Sequence, residues 1–166
     1  VLKDDLRDLE RVEEVVLISR IAERVPELVG SPLSINSLRE DLQVAHPTIQ
    51  NWLHILERLF VLYRIPPYGA AKIRAVKKEQ KMYLWDWSVI EEPGARFENL
   101  VASQHLKYCD FMEETEGYEM ELRYIRDTDK REIDFVVLKN KQPLFAVECS
   151  VGEKTGVPVV SYFAGR

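Results

Sequence analysis

Apolar residues recur at steps of three and four along two stretches of the first half of the chain. Residues 6–28 show this pattern and residues 48–59 show it again, so each stretch predicts a helix with one buried face. The predicted buried residues are Leu9, Val12, Val15, Val16, Ile18, Ile21, Ala22 and Val25 in the first helix, and Ile49, Trp52, Leu53, Leu56, Leu59 and Phe60 in the second.

Helix-breaking residues separate these two stretches. Pro26 and the Gly30-Ser31-Pro32 segment are expected to end the first helix, because proline and glycine disfavour helix continuation. Residues 37–42 then predict a short helix, which the side chain of Ser34 or Asn36 can cap.

A hairpin is predicted directly after the second long helix. That helix opens near Pro47, which suits a first turn because its missing N–H is not needed there. Residues 60–65 are typical of a strand, and residues 81–85 of its return strand. Two helices, a tight turn and a hairpin predict a winged helix-turn-helix module over residues 1–83.

The second half of the chain predicts a helix followed by three strands. Residues 95–106 form the helix, with an apolar face of Phe97, Leu100, Val101 and Leu106. Alternating or continuous apolar runs, separated by polar turns, predict strands at residues 118–126, 132–138 and 143–149. The fold class is therefore α+β or α/β, with a second unit over residues 84–166.

Composition narrows the class of protein. No apolar run approaches the roughly 20 residues that span a bilayer, and the first residues lack a signal-peptide pattern, so we expect a cytoplasmic protein without a membrane partner. Cys109 and Cys149 are the two cysteines and are expected to be packed thiols. The missing initiator Met and the ending after Arg166 lead us to expect a fragment of a longer polypeptide.

The basic side chains are concentrated in one short stretch, although the net charge is −5. If the first module binds DNA, its second helix would face base edges and this stretch would hold phosphates. The residues expected to do so are Thr48, Gln50, Asn51 and His54 on the helix, and Lys72, Arg74, Lys77 and Lys78, with Lys81 nearby, in the basic stretch. The alternative is a protein-contact role, since Glu57 and an acidic first helix oppose phosphate binding.

Two carboxylates fall inside or at the end of apolar strands. Asp134 lies within Ile133–Val137, and Glu148 ends the next apolar run. Burying an unpaired carboxylate is costly, so each must recruit a partner. If the strands are neighbours, both acids can bind one Mg²⁺ or Mn²⁺, the arrangement used for phosphodiester hydrolysis. Alternatively each acid pairs with a nearby base, Asp134 with Arg131 or Lys130 and Glu148 with Lys154.

Several segments, in order and over nearly the whole chain, resemble the C-terminal region, a domain of unknown function, of bacterial and archaeal AAA-type ATPases. In the second half the segments are KMYLWD (81–86), RFENLV (96–101), EIDFV (132–136) and FAVEC (145–149). In the first half they are LREDL (38–42), TIQNWL (48–53) and IPPY (65–68), which resemble the winged helix of that family.

The resemblance implies an ATPase domain N-terminal to this chain, which would bind the ATP, and a core similar to the restriction-endonuclease-like superfamily. Carried over to this sequence, the catalytic glutamate on the helix is Glu98 and the two strand acids are Asp134 and Glu148. Ser150 stands where the superfamily has a lysine that activates water. Losing such a preorganised charge costs a factor of roughly a hundred to a thousand in rate, and Lys154 is the nearest replacement.

Two functions remain open at this point. The chain is either a degenerate Mg²⁺-dependent nuclease-like core whose winged helix contacts nucleic acid, or a non-enzymatic module for protein interaction and assembly of the ATPase. Carboxylates that converge on an open cleft would favour the first function. Carboxylates closed by arginine or lysine partners would favour the second.

Overall fold

The computed structural model describes residues 2–32, 34–68, 80–127, 129 and 131–152, and within the first helix the side chains of Val12 and of Glu14 onward. These residues form an α+β fold, as predicted. Its elements are α1 (Leu2–Leu28), α2 (Ile35–Leu42), α3 (His46–Arg58), β1 (Leu62–Ile65), β2 (Lys81–Leu84), a short 3-10 helix (Trp87–Val89), α4 (Pro93–Glu116), β3 (Met120–Arg126), β4 (Glu132–Lys139) and β5 (Gln142–Val147).

The strands described form two antiparallel sheets, β1-β2 and β3-β4-β5. Main-chain bonds connect the two sheets just beyond β1, where the Tyr68 N–H donates to the Tyr124 carbonyl at 2.8 Å and the Tyr124 N–H donates to the Pro66 carbonyl at 3.3 Å. The segment after β1 is therefore bonded to β3 of the larger sheet. The three predicted strands of the second half are confirmed, but β5 ends at Val147, so Glu148 and Cys149 follow the strand.

The buried face of α1 is shorter than predicted. Ile21 and Val25 are buried, whereas Val12, Val15 and Val16 are exposed, because the core contacts this helix from Leu17 onward. The prediction that these three valines are buried is wrong. Pro26 lies inside the helix, and the chain turns at Gly30, whose φ of +74° suits glycine.

The predicted buried face of α3 is confirmed at the centre of the helix, but the prediction is wrong at its C-terminal end. Ile49, Trp52, Leu53 and Leu56 are buried. The side chains that follow are exposed, Leu59 at 65% and Phe60 at 70% of their surface. The helix ends at Arg58 and Phe60 adopts a left-handed φ of +55°, so the helical period no longer places these two residues inside.

The helix α4 is about twice as long as predicted. Glu92 caps its N-terminus by accepting from the Gly94 N–H at 2.9 Å and from the Ala95 N–H at 2.5 Å, and Gly117 ends it with a φ of +70°. Its fully buried residues are small or polar, namely Asn99, Ala102 and Cys109. The helix is thus turned slightly from the predicted apolar face, and Phe97 is exposed rather than buried.

One hydrophobic cluster runs through both halves of the described chain. It includes Ile21, Trp52 and Tyr83 from the first half together with Ala102 and Phe135 from the second. The division into modules at residues 83 and 84 stays a prediction, but the two halves share a core. Among the described residues no helix has the length and apolar content needed to cross a bilayer.

Candidate functional site

Lys81, the first residue of β2, is buried to 0% exposure and points into a group of carboxylates. Its Nζ lies 2.5 Å from Oε1 of Glu132, 3.2 Å from Oε1 of Glu98 and 3.8 Å from Oδ1 of Asp134. We call these four residues the carboxylate centre. The prediction that Lys81 belongs to an exposed basic patch is wrong, because these acids attract its ammonium group into the interior.

The side-chain amide of Asn99 fixes the position of β2 beside α4. The side chain of Asn99, fully buried on α4, accepts from the Leu84 N–H at 2.8 Å and donates to the Leu84 carbonyl at 2.8 Å. Asn99 thereby pairs with both backbone groups of Leu84 as a neighbouring strand would. Glu98 precedes Asn99 on α4, and Lys81 lies on β2 with Leu84. The pairing of Asn99 with Leu84 therefore brings the side chains of Glu98 and Lys81 together.

Gly30 allows the end of α1 to approach the carboxylate centre. A Cβ at this position would lie 3.0 Å from Oε1 of Glu98 and 3.1 Å from its Oε2. The Gly30 N–H also donates to the Met82 carbonyl at 3.2 Å, which holds the turn against β2. A side chain at residue 30 would therefore push against the carboxylate as well as strain the backbone.

Each acid of the carboxylate centre has a second partner. Tyr83 Oη donates to Oε1 of Glu98 at 2.7 Å, and Nη1 of Arg126 lies 3.6 Å from Oε2 of Glu132. The Cys149 N–H donates to Oδ2 of Asp134 at 2.6 Å. Glu132 and Asp134 both face Lys81 because residues two apart on a strand share a side. The centre is a network of ion pairs and charge-assisted hydrogen bonds.

The charges of the centre shift the pKa of its members. Burial lowers the pKa of Lys81, but the charges of Glu98, Glu132 and Asp134 outweigh it, so the pKa is raised and the side chain is a cation. Burial raises the pKa of Glu98 despite the opposing effects of Lys81 and Tyr83. Burial and the charge of Glu98 raise the pKa of Tyr83 well above its usual value. Negative charge is therefore in excess around a single ammonium group.

The two acids predicted to bind a metal lie on neighbouring segments, as expected from the pairing of β4 with β5. Cys149 lies beside both, and burial together with the charges of Asp134, Glu98 and Glu148 raises its pKa to about 12. Ser150, at the expected lysine position, is half-buried. The thiol of Cys149 is thus neutral at physiological pH.

The structure shows a partner for two of the residues considered for local pairing, Arg131 and Asp134. Arg131 Nε pairs with Oδ2 of Asp127 at 2.8 Å, and Asp134 pairs with Lys81 instead. Lys130 and Lys154 lie outside the described residues. Lys81 is the partner that the sequence analysis missed. It begins a strand whose other residues are all apolar or aromatic, and a charge in such a strand needs a partner, as was argued for Asp134.

The residues of the centre do not fit a resident divalent ion while Lys81 is in place. The ammonium nitrogen occupies the position on which three carboxylates converge. Within the described ranges, no three His, Cys, Asp or Glu side chains are arranged to hold a metal ion. The arrangement can hold the strands β2 and β4 and the helix α4 together electrostatically.

The second predicted site lies on α3, away from this network. Gln50, Asn51 and His54 are exposed and Thr48 is half-buried. Glu57, which was expected to oppose phosphate binding, accepts two bonds from Arg64, from Nε at 2.7 Å and from Nη2 at 2.6 Å. Its charge is therefore largely neutralised within the protein. The basic residues Lys72, Arg74, Lys77 and Lys78 lie outside the described residues.

Comparison with protein families divides the chain in two. Residues 1–92 match the model of a domain of unknown function, DUF8612, and residues 93–164 match a second one, DUF4143. The second is known as a domain associated with AAA-type ATPases. No curated protein and no solved structure matches the chain significantly.

Proposed function

The chain belongs to the DUF8612 family, whose model covers more than half of it, and we propose that it is a non-enzymatic interaction and assembly module of an AAA-type ATPase. The match of residues 93–164 to DUF4143 supports the link to an ATPase. In this proposal the first half is a winged helix and the second is a nuclease-like core that has lost catalysis. ATP would be bound by a domain outside this chain.

The observation that carries the proposal is the engagement of the carboxylates by Lys81. Hydrolysis of a phosphodiester by two acids needs a metal ion or another electrophile that substrate can reach. Here Lys81 lies at 0% exposure between Glu98, Glu132 and Asp134, and its ammonium group occupies the point at which these three carboxylates meet. Ser150 supplies no positive charge where the superfamily has its lysine. Both features favour a structural use of the acids.

Exposed aromatic residues also support a binding role. Phe60 and Trp85 are exposed at 70% and 41% and form an edge-to-face pair with ring centroids 5.8 Å apart. Aromatic side chains are enriched in protein interfaces because they bury a large area with few rotatable bonds. Their exposure at the ends of the β1-β2 pair is consistent with assembly through this half of the chain.

A paired experiment tests the proposal. Incubation of the chain with plasmid DNA or single-stranded RNA in Mg²⁺ or Mn²⁺ should give no cleavage. Deleting the chain from the parent ATPase should leave ATP binding intact but change the oligomer mass measured by light scattering. Cleavage that Asp134→Asn abolishes would refute the non-enzymatic role, and an unchanged oligomer would refute the assembly role.

Contact with nucleic acid is a second candidate function, favoured by the open polar face of α3. Gln50, Asn51 and His54 are exposed together, and the pairing of Glu57 with Arg64 removes one electrostatic objection. If this face binds DNA, replacing Lys72, Arg74, Lys77 and Lys78 by alanine should weaken binding and flatten its salt dependence. Fluorescence anisotropy at several salt concentrations would measure both. Unchanged affinity and slope would exclude the basic stretch from the interface.

A further inference from the structure

We infer that a cavity at the end of α1 is a docking site for the basic stretch, residues 72–78, of a second copy of this chain. The inference rests on the proposed function, because it names the surface and the partner through which the proposed assembly would form. The cavity has a volume of about 600 Å³ and lies between the last turns of α1 and the start of α4. It is separate from the carboxylate centre, none of whose four residues lines it.

The lining of the cavity is acidic. Its charged members among the described residues are the exposed side chains of Glu23, Glu27, Glu91 and Glu92. The described lining contains no lysine or arginine, and Arg24, next to Glu23 in sequence, pairs with Asp41 instead. The cavity therefore attracts a cationic partner and repels the phosphates of nucleic acid.

The end of α1 adds to this negative charge. The carbonyl groups at a helix C-terminus carry a partial negative charge, so acidic side chains are unfavourable there. The last turn of α1 nevertheless contains Glu27 and no basic residue. A cationic side chain bound in the cavity would remove this conflict.

An apolar surface lies between the carboxylates. It consists of Pro26 and Val29 at the end of α1, and of Val89 and Ala95 on the opposite side. Val89 is 52% exposed although its side chain is apolar. Lysine and arginine have a long aliphatic stem and a charged end, so their stems can cover this surface while their ends reach the glutamates. The lining thus fits these side chains better than it fits a small inorganic cation.

The basic stretch supplies side chains of this kind. Its cations are Lys72, Arg74, Lys77 and Lys78. Residues 72–78 contain no acidic residue, although the whole chain has a net charge of −5, and Ile73 and Val76 add apolar contacts between the cations. Every copy of the chain carries both the acidic cavity and the basic stretch. One copy can therefore bind another through two unlike surfaces of opposite charge.

Charge reversal on each surface tests the inference. Light scattering of the natural chain in low salt should give a mass above that of one chain, and high salt should reduce it. Glu23→Lys/Glu27→Lys and Lys72→Glu/Lys77→Glu should each weaken self-association at least about tenfold, because like charges then face each other. A mixture of the two variants should associate again, since each cavity then meets a stretch of opposite charge on the other chain.

A matched control separates this contact from a general effect of charge. Glu114→Lys/Glu116→Lys makes the same change in net charge at exposed positions of α4 outside the cavity lining, and it should associate as the natural chain does. Glu23→Lys/Glu27→Lys should have a Tm at least as high as that of the natural chain, because lysine is favoured near a helix C-terminus. Its loss of association would then not result from unfolding.

Three results would overturn the inference. They are a natural chain that stays monomeric in low salt, reversed variants that associate as the natural chain does, and a mixture of the two variants that does not associate. Each would refute this docking site alone. The proposed function would fail on a different result, an unchanged oligomer after the chain is deleted from the parent ATPase.

Discussion

The polar face of α3 is exposed to solvent, whereas the carboxylate centre is buried. Gln50 and Asn51 project from a helix into solvent, whereas Lys81 is completely buried among acids. The first arrangement follows from the helical period within about a dozen residues. The second joins residues that are far apart in sequence, such as Lys81 and Asp134. Local pattern therefore predicts an exposed surface, but it does not identify the partner of a buried charge.

The largest effect should come from removing the cation of the centre. Lys81→Met leaves buried carboxylates without their main partner and should lower the free energy of unfolding by about 3–5 kcal/mol. Urea denaturation followed by circular dichroism would measure the loss. Lys107→Met, at an exposed position of the neighbouring helix, should change stability by less than about 0.5 kcal/mol. Equal small effects of the two substitutions would mean that the contacts of Lys81 contribute little.

Trp52 provides the corresponding test of the buried face of α3. It is 2% exposed, and its Nε1–H donates to Oε1 of Glu14 at 2.7 Å. Trp52→Ala should cost about 3–5 kcal/mol through the cavity it leaves, and thermal unfolding would detect this. Asn51→Ala, the exposed neighbour, should be nearly neutral. A stable Trp52→Ala protein would show that α3 packs by another face.

Asn99 tests the connection between the two halves. Asn99→Ala leaves the N–H and carbonyl of Leu84 buried without their partner and should cost about 1–3 kcal/mol. Asn99→Asp should cost at least as much, because a carboxylate oxygen would face the Leu84 carbonyl in the interior. Chemical denaturation of both variants would show which of them has the lower free energy of unfolding. An Asp variant that is more stable than the Ala variant would contradict the assigned amide orientation.

The smallest effect on stability should come from the exposed polar face. Replacing Gln50, Asn51 and His54 together by alanine should change the free energy of unfolding by no more than about 0.5 kcal/mol, because these side chains are open to solvent. Differential scanning calorimetry would measure it. A loss as large as that of Trp52→Ala would show that this face is covered and is not a binding surface.

The elements of the fold were largely predictable, and their ends were not. The strands and helices follow from the apolar period, but Leu59 and Phe60 left the predicted face because the backbone changes direction after Arg58. Likewise Val12 and Val15 have the right spacing for burial, yet the core does not extend to them. Periodicity specifies a face of a helix, and tertiary packing decides how much of that face is covered.

The sequence predicted Glu98 and Asp134 as acids of the site, but it did not identify Lys81 as their basic partner. Asp134 was recognised because a charge within an apolar strand must be compensated. The same rule applied to Lys81, but its position next to a basic stretch favoured an exposed interpretation. The pairing of Asn99 with Leu84, together with the bonds of Tyr83 and Lys81 to Glu98, places β2 against α4. Such a pairing depends on the three-dimensional arrangement and leaves no spacing signal in the sequence.

A crystal structure of the natural chain grown in millimolar Mn²⁺ tests most directly whether Lys81 takes the place of a metal ion. The account predicts the Lys81 Nζ between Glu98, Glu132 and Asp134, and no anomalous scattering peak among these carboxylates. An anomalous peak bound by Asp134 and Glu148, with the Lys81 side chain displaced, would contradict it.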